Sequence, residues 1–213
     1  MAAPREHPFA QQWNHNSHYY PLIARAIPTQ ARRVLDIGCG DGTFCRFVAH
    51  EGRLAVGLDA AASGLSLIPA VGVESRTTAA DAAGGVGFVV GDMHRLCFAD
   101  NTFDAVTAVM VLHHGDTTAA VHEAVRVLAP GGVLLVLGYG AFGGWRDLPY
   151  EVRDVVTHRL ASRSTRAWNP ATAVADPART WAAERRLLAD LLPGCSYRRL
   201  PMWRYLVQWS KPR

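Results

Sequence analysis

The residues with the clearest chemical potential in this chain surround a glycine-rich turn. An apolar run ends in Asp36, and glycines follow at Gly38, Gly40 and Gly42. Glycine lets the backbone adopt positive φ and lets a ligand approach without meeting a Cβ atom. A helix that begins at Thr43 would add unpaired N–H groups at the same place. The spacing therefore predicts a ligand site between a buried strand and a helix.

Three classes of ligand bind to turns of this kind, and their sequence patterns differ. A phosphate-binding loop ends in Gly-Lys-Ser/Thr, and this turn has no lysine. The dinucleotide pattern G-x-G-x-x-G needs glycine at position 43, where Thr43 stands. The remaining pattern, Asp-x-Gly-x-Gly-x-Gly over 36–42, resembles the first motif of the class I S-adenosylmethionine-dependent methyltransferases. A nicotinamide-dinucleotide-dependent oxidoreductase stays open as an alternative because it shares the glycine turn.

Acids also follow the next two predicted strands. The strand after the first helix ends in Asp59, roughly 20 residues beyond Gly38, which is the separation expected for an acid that binds ribose hydroxyls. A third strand is followed by Asp92 and Met93, which resemble the methyltransferase adenine site. A helix N-cap at Asp59, and an Asx turn at Asp92 beside a buried Met93, are the structural alternatives.

The resemblance implies a cofactor, S-adenosylmethionine, which leaves as S-adenosylhomocysteine. It places the cofactor contacts on an N-terminal lid, at the glycine turn and after the following strands: Tyr19, Asp36, Gly38, Cys39, Gly40, Asp59, Ala60, Asp92, Met93 and Val109. The lid is predicted as a helix over Trp13–Ile27 that breaks or restarts at Pro21, with Asn16 as a further candidate contact. No metal is expected, because the four cysteines show no C-x-x-C spacing.

Histidines are the candidate catalytic bases. A central strand predicted over 101–112 ends at His113 and His114, and ligands of doubly wound folds bind outside the carboxyl ends of strands. Methyl transfer is expected to be an in-line displacement in which positioning supplies on the order of 7 to 11 kcal/mol. For a hydroxyl or amine acceptor, a base would add ~10²- to 10⁴-fold, and we rank His114, His113 and His18 in that order. A solvated or structural role is the alternative for each histidine.

The elements that position these residues alternate between strands and helices, which favours an α/β fold. We predict a doubly wound, Rossmann-like, seven-stranded and mostly parallel sheet with a C-terminal antiparallel strand pair, in three αβα layers. A single methyltransferase domain would span 1–213, divided into a helical lid (1–30), a cofactor-binding core (31–140) and acceptor-side helices with a terminal hairpin (141–213).

Further motifs narrow the resemblance. The run Arg126–Gly132 resembles a late, structural motif of the methyltransferases. A second resemblance is to the small-molecule, ubiquinone-biosynthesis-like type, and it is carried by His-Asn-Ser-His-Tyr near the N-terminus and Trp203-Arg204-Tyr205 near the C-terminus. An amphipathic helix is predicted from about residue 149 to residue 160. Four aromatic residues could line an apolar acceptor pocket or belong to the core: Trp13, Tyr19, Trp145 and Trp168.

Composition limits the function classes. The 213 residues are 49% apolar and 19% charged with a net charge of +4, and no apolar run approaches the ~20 residues that span a bilayer. The arginines are scattered rather than grouped in a basic stripe, which disfavours nucleic acid. We therefore expect a cytoplasmic monomer or homodimer with a small-molecule acceptor and no membrane partner. A protein that binds S-adenosylmethionine without transferring methyl groups is a third hypothesis.

Overall fold

A computed structural model describes residues 13–61, 85–162 and 175–213, and seven strands form one sheet. The strands are β1 (Arg33–Ile37), β2 (Leu54–Asp59), β3 (Gly85–Val90), β4 (Phe103–Val109), β5 (Leu128–Gly138), β6 (Ser196–Leu200) and β7 (Arg204–Ser210). The helices are α1 (Tyr20–Ala26), α2 (Thr43–His50), α3 (Thr117–Val127), α4 (Leu148–Ala161) and α5 (Trp181–Leu191). None of these described helices is long and apolar enough to cross a bilayer.

The strand order is β3-β2-β1-β4-β5-β7-β6. The first five strands are parallel, whereas β7 pairs antiparallel with both β5 and β6. This arrangement confirms the predicted seven-stranded, mostly parallel sheet with a C-terminal antiparallel pair. The order reverses between β1 and β4, so the carboxyl ends of these strands open a crevice where α/β proteins bind ligands.

The sheet has an apolar core on each face because successive side chains of a strand point to opposite sides. Val34 packs with Ile23 of α1 and Phe44 of α2 in one cluster. Leu35 packs in the other cluster, which contains residues of α3 and α5 such as Leu188. Helices therefore cover both faces, as a doubly wound fold requires.

Several element boundaries differ from the predictions. The predicted lid helix is shorter, since a 3-10 turn over Ser17–Tyr19 precedes α1 and Pro21 occupies the first turn of α1, where its missing N–H costs nothing. Strand β4 ends at Val109 rather than at residue 112, because Met110 adopts a φ of 57°. The chain then forms a 3-10 turn over Leu112–His114.

The predicted helices after β4 are confirmed, with local reasons for where they begin. The Asp116 carboxylate caps α3 by accepting hydrogen bonds from the backbone N–H groups of Thr118 and Ala119. The Thr180 hydroxyl caps α5 by accepting from the N–H of Ala183. The predicted helix at 149–160 is α4, and its polar rather than its apolar residues face the sheet.

Candidate active site

A cleft of about 920 Å³ lies at the carboxyl ends of the central strands. Its walls come from the N-terminal segment, the glycine turn and the segments after β2, β3, β4 and β5, together with the start of β7. The cleft brings together nearly all the predicted cofactor contacts: Asp36, Gly38, Cys39, Gly40, Asp59, Ala60, Asp92, Met93 and Val109. It also contains two of the three predicted catalytic residues, His113 and His114.

The glycine turn has the geometry that its spacing predicts. Gly38, Gly40 and Gly42 have φ values of 69°, 55° and 74°, which favour glycine. A Cβ atom at Gly38 would lie 2.2 Å from Cγ2 of Val111, so the turn packs directly against the segment after β4. The N–H groups of Gly38 and Cys39 donate to the carbonyl of Leu58 at 2.7 and 3.0 Å, which holds the turn against the end of β2.

Asp36 lies at the end of β1 with its carboxyl group buried. It accepts hydrogen bonds from the Thr107 hydroxyl at 2.7 Å and from the Cys45 thiol at 3.8 Å. Burial, together with the nearby charge of Asp59, raises the pKa of Asp36 to about 7, although the two hydrogen bonds oppose the rise. A cation bound in the cleft would favour the ionised carboxylate.

Asp59 joins the end of β2 to the glycine turn. Its Oδ2 accepts from the N–H of Gly40 at 2.8 Å, and its Oδ1 accepts from the N–H of Ala61 at 2.9 Å. The second contact forms a local turn after β2, whereas the helix that Asp59 was alternatively predicted to cap lies outside the described residues. The first contact orients the carboxylate at the wall of the cleft.

Asp92 lies after β3 in a hydrogen-bond network that the sequence motifs did not indicate. Its Oδ1 accepts from the N–H of His94 at 2.9 Å, which is the Asx turn considered as an alternative, and contacts His94 Nδ1 at 2.7 Å. His94 Nε2 accepts from the N–H of Asp116 at 3.0 Å, so Nδ1 carries the ring proton. Hydrogen bonds from His94, first of all from its backbone N–H, lower the pKa of Asp92. Met93 beside it is buried.

The two histidines after β4 lie side by side where that segment forms a wall of the cleft. The ring centroids of His113 and His114 are 4.2 Å apart, and His113 contacts the edge of Tyr139 at 4.7 Å. Burial lowers the pKa of His113 to about 4, with additional repulsion from His114 and Arg204. His113 is therefore neutral at pH 7, and the same surroundings disfavour its protonated form.

A buried guanidinium completes this wall. Arg204 Nε and Nη2 donate to Asn16 Oδ1 at 3.1 and 2.8 Å, and Nη1 donates to the carbonyls of Met202 and Trp203. Burial lowers the pKa of Arg204 to about 10. Within 13–61, 85–162 and 175–213, no carboxylate forms an ion pair with it. The Arg204 guanidinium is therefore held at the cleft by amide and carbonyl oxygens, which carry no formal charge.

Two predicted site residues lie outside the cleft. The Tyr19 side chain is buried in the core, where its hydroxyl donates to the carbonyl of Pro201 at 2.7 Å. His18 is exposed and accepts a hydrogen bond from the Trp13 indole. The 3-10 turn rotates this segment so that Tyr20 lines the cleft instead of Tyr19.

The predicted aromatic pocket does not form in the described part of the chain. Trp13 is absent from the cleft wall, and the Trp145 side chain is 76% exposed. Trp168 lies outside the described residues. Tyr20, Tyr139 and Phe44 are the aromatic residues that line the cleft. Tyr20 could have been found from the sequence, because it is an aromatic residue just after the polar run Asn14–His18.

Comparisons with known proteins agree with this geometry. A model of the methyltransferase domain matches residues 35–136. The chain is 29% identical over 204 residues to an uncharacterized methyltransferase of Mycobacterium bovis, covering 95% of this chain and 98% of that protein. It is 32% identical over 182 residues to the demethylmenaquinone methyltransferase of Renibacterium salmoninarum, covering 82% of this chain and 71% of the relative.

The fold has solved counterparts as well. The structure of a SAM-dependent methyltransferase from Methanosarcina mazei superposes with a TM-score of 0.60 at 20% identity, covering 91% of this chain and 98% of that one. The glycine turn and the acids after β2 and β3 converge on one cleft, as the resemblance in the sequence implied. Together with the identity to the Renibacterium enzyme, this convergence shows that the chain belongs to the class I S-adenosylmethionine-dependent methyltransferases.

Proposed function

We propose that this protein transfers a methyl group from S-adenosylmethionine to an O, N or C atom of a small organic acceptor by in-line displacement. The observation that carries the proposal is the division of the cleft into two walls of different chemistry. Carboxylates and the glycine turn form one wall, whereas imidazole, phenol and a buried guanidinium form the other, with Asp176 beside the phenol. A cofactor and an acceptor can therefore meet between them.

The first wall, which we call the cofactor wall, fits S-adenosylmethionine. It has no Cβ atoms at Gly38 and Gly40 and carries Asp36, Asp59 and Asp92. These carboxylates suit a cationic sulfonium, an ammonium and sugar hydroxyls, whereas they would repel the diphosphate of a dinucleotide. A volume of about 920 Å³ also leaves room for an acceptor.

Each part of the cofactor wall has a proposed role. Asp36 and the glycine turn, including Cys39, would hold the methionine portion. Asp59 and Ala60 would bind the ribose. Asp92, Met93 and Val109 would bind the adenine end, and Tyr20 takes the lid position that was predicted for Tyr19. When bound, S-adenosylmethionine supplies an electrophilic methyl group on a positively charged sulfur.

The second wall, which we call the acceptor wall, consists of Asn16, His113, His114, Tyr139, Asp176 and Arg204. We propose that His113 or His114 removes the proton of a hydroxyl or amine acceptor. The position of both rings in the cleft supports this role. At a pKa of about 4 the His113 ring is unprotonated at pH 7 but is a weak base, so His114 stays the first candidate. His18 is the weakest of the three candidates because its ring lies outside the cleft.

The remaining predictions extend this proposal. We propose a single methyltransferase domain over 1–213, with 1–30 as lid, 31–140 as cofactor core and 141–213 on the acceptor side. We also propose a cytoplasmic enzyme that uses neither a metal nor nucleic acid, as a monomer or homodimer. The names of relatives such as the demethylmenaquinone methyltransferase support a small-molecule acceptor.

Calorimetry tests the cofactor part of the proposal. Titration with S-adenosylhomocysteine should show one site per chain, and titration with reduced nicotinamide dinucleotide should show none. Absence of S-adenosylhomocysteine binding at micromolar concentrations would contradict the proposed site.

Mass spectrometry tests the transfer itself. Incubation with S-adenosylmethionine and acceptors, starting with reduced demethylmenaquinone because a relative bears that name, should add one methylene unit to the acceptor and release S-adenosylhomocysteine. Cofactor binding without methyl addition to any acceptor would favour the non-methylating binder instead.

A further inference from the structure

Helix α4 turns its polar residues toward the protein. Asp154 is fully buried, where it pairs with Arg153 and accepts from the backbone N–H of Trp203 at 3.2 Å. One turn earlier, Glu151 Oε2 accepts from the Trp203 indole at 2.7 Å. One turn later, His158 Nδ1 lies 2.8 Å from Nε2 of His15 in the N-terminal segment. Hydrogen bonds and ion pairs therefore attach most of this helix, while Ala161 at its end packs against an apolar core cluster.

The outward face of α4 is apolar. Its side chains recur every three or four residues and are between 37% and 64% exposed: Leu148, Val152, Val155, Val156 and Leu160. Phe142 and Trp145, which precede the helix, are 53% and 76% exposed. A surface helix of a globular protein has the opposite orientation, with apolar residues on the core. Exposed apolar side chains grouped into a patch on one helix face in this way are typical of an interaction surface.

The charges around the patch have one sign. The three carboxylates of this segment are turned inward and paired, with Asp147 bound to Arg199 Nη1 at 2.6 Å. The cations point out, since Arg146 and Arg159 are exposed at the two ends of the patch. Arg146 also lies over the Trp145 ring at 5.5 Å. The outward face is therefore apolar and cationic, on a chain with a net charge of +4.

This charge pattern distinguishes between the partners that could cover the apolar face of α4. If α4 paired with α4 of a second copy in an antiparallel two-fold arrangement, Arg146 of each copy would lie near Arg159 of the other. No exposed carboxylate of the segment could neutralise these cations, so such a pairing is repulsive. An apolar stripe with arginines at its ends and an exposed tryptophan matches a helix that lies in the interface of an anionic membrane.

We propose that the outward face of α4, with Phe142 and Trp145, docks on an anionic lipid surface. The apolar side chains enter the headgroup boundary while Arg146 and Arg159 contact lipid phosphates. Such peripheral contact needs no spanning helix, so it revises the expectation of no membrane partner, which rested on the lack of a long apolar run. Docking would place the N-terminal wall of the cleft near the lipid, because His15 contacts the inner face of α4.

Vesicle sedimentation of the full chain tests the proposal. Vesicles of phosphatidylglycerol mixed with phosphatidylcholine should bind the protein at low salt, and vesicles of phosphatidylcholine alone should not. The double variant Arg146→Gln/Arg159→Gln should bind roughly 30-fold more weakly, since each arginine near an anionic surface contributes a few-fold. Val152→Ser/Val156→Ser should weaken binding at least tenfold. The matched control Arg25→Gln/Arg186→Gln removes two exposed arginines of α1 and α5 and should bind within about twofold of the wild type.

Each other outcome counts against the proposal. Equal binding by wild type and both α4 variants, or no vesicle binding by the wild type, would overturn it. A wild-type dimer that Val152→Ser/Val156→Ser dissociates, without vesicle binding, would assign the face to a second copy. A large fall in thermal stability of that variant in the absence of vesicles would show that the protein itself covers the face. Affinity for S-adenosylhomocysteine, measured in parallel, should be unchanged in every variant.

Discussion

The cofactor wall and the acceptor wall of the cleft are built in different ways. The cofactor wall consists of strand ends and the turns that follow them, so residues such as Asp36 and Gly38 are close in sequence as well as in space. The acceptor wall joins distant segments, since Asn16 and Arg204 are in contact although 188 residues separate them. The first wall carries several carboxylates, whereas the second carries Arg204 and two histidines beside one exposed carboxylate, Asp176. An acidic site built on short sequence motifs suits one methyl donor that is always the same. Substitutions in a wall assembled from distant segments can alter which acceptor binds without disturbing the glycine turn.

The largest expected effect concerns the turn of the cofactor wall. Gly38→Ala should lower the free energy of unfolding by about 2 to 4 kcal/mol, because the new Cβ combines a φ of 69° with a 2.2 Å contact to Val111. Affinity for S-adenosylhomocysteine should fall at least tenfold. Urea unfolding and calorimetry measure the two effects.

Gly52→Ala is the matched control for this variant. Gly52 has a φ of 82°, and a Cβ atom added there would have nothing within 4 Å. The variant should therefore lose only about 1 to 2 kcal/mol of unfolding free energy, from backbone strain, and should bind S-adenosylhomocysteine with normal affinity. Equal losses of stability in both alanine variants would show that the Val111 contact does not constrain the turn.

The acid after β2 should give the next largest effect. Asp59→Ala should weaken S-adenosylhomocysteine binding by about 1.5 to 3 kcal/mol, the contribution of a hydrogen bond to a charged group. Circular dichroism should show a retained fold. Asp104→Ala is the control, because Asp104 also accepts two backbone N–H groups, those of Arg32 and Arg33, but before β1 rather than after it. Weaker cofactor binding by this control would mean that the loss is a general effect of stability.

A double-mutant cycle tests how the acceptor wall is held together. Asn16→Ala and Arg204→Met should each destabilise the protein, and together they should cost about 1 to 2 kcal/mol less than the sum, because each removes the same pair of hydrogen bonds. Urea unfolding of the four proteins gives the coupling. Strict additivity would show that Arg204 does not fasten the N-terminal segment.

The smallest expected effect is a pH dependence in the acceptor wall. The folded protein lowers the pKa of His113 to about 4, so folding favours the neutral ring. This contribution is present above about pH 6.5, the pKa in the unfolded chain, and is lost as pH falls toward 4. It should be on the order of 1 kcal/mol, since solvent screens a ring that is only half buried.

Comparison with His113→Gln isolates this contribution. The wild type should lose more stability than the variant between pH 6.5 and pH 4, as measured by urea unfolding at each pH. If the free energy of unfolding fell equally with pH in the two proteins, the pKa of His113 would not be shifted by folding.

The cofactor wall was predictable from sequence because its signals are local. A glycine turn after an apolar run and acids after the next strands specify the same edge of the same sheet, and the structure brings them together. The lid was less predictable. A single 3-10 turn decides whether Tyr19 or Tyr20 lines the cleft. The Asn14 side chain holds that turn locally, but Tyr19 is fixed in the core by the carbonyl of Pro201, far along the chain.

The orientation of α4 was also beyond the sequence. Its period predicted an amphipathic helix, but the side that faces the protein depends on what that side meets. Arg199 and Trp203, on and beside the terminal strand pair, offer donors to Asp147, Glu151 and Asp154, so the polar side turns inward. Only the folded chain brings these partners together.

The position of β7 between β5 and β6 has a consequence for synthesis. Because β7 follows the other strands in the chain, β5 lacks its neighbour until β7 has been made and has left the ribosome. Exposed strand edges of this kind invite pairing with other chains. The consecutive arginines Arg198 and Arg199 place charge on β6 and discourage such pairing until the last strand inserts.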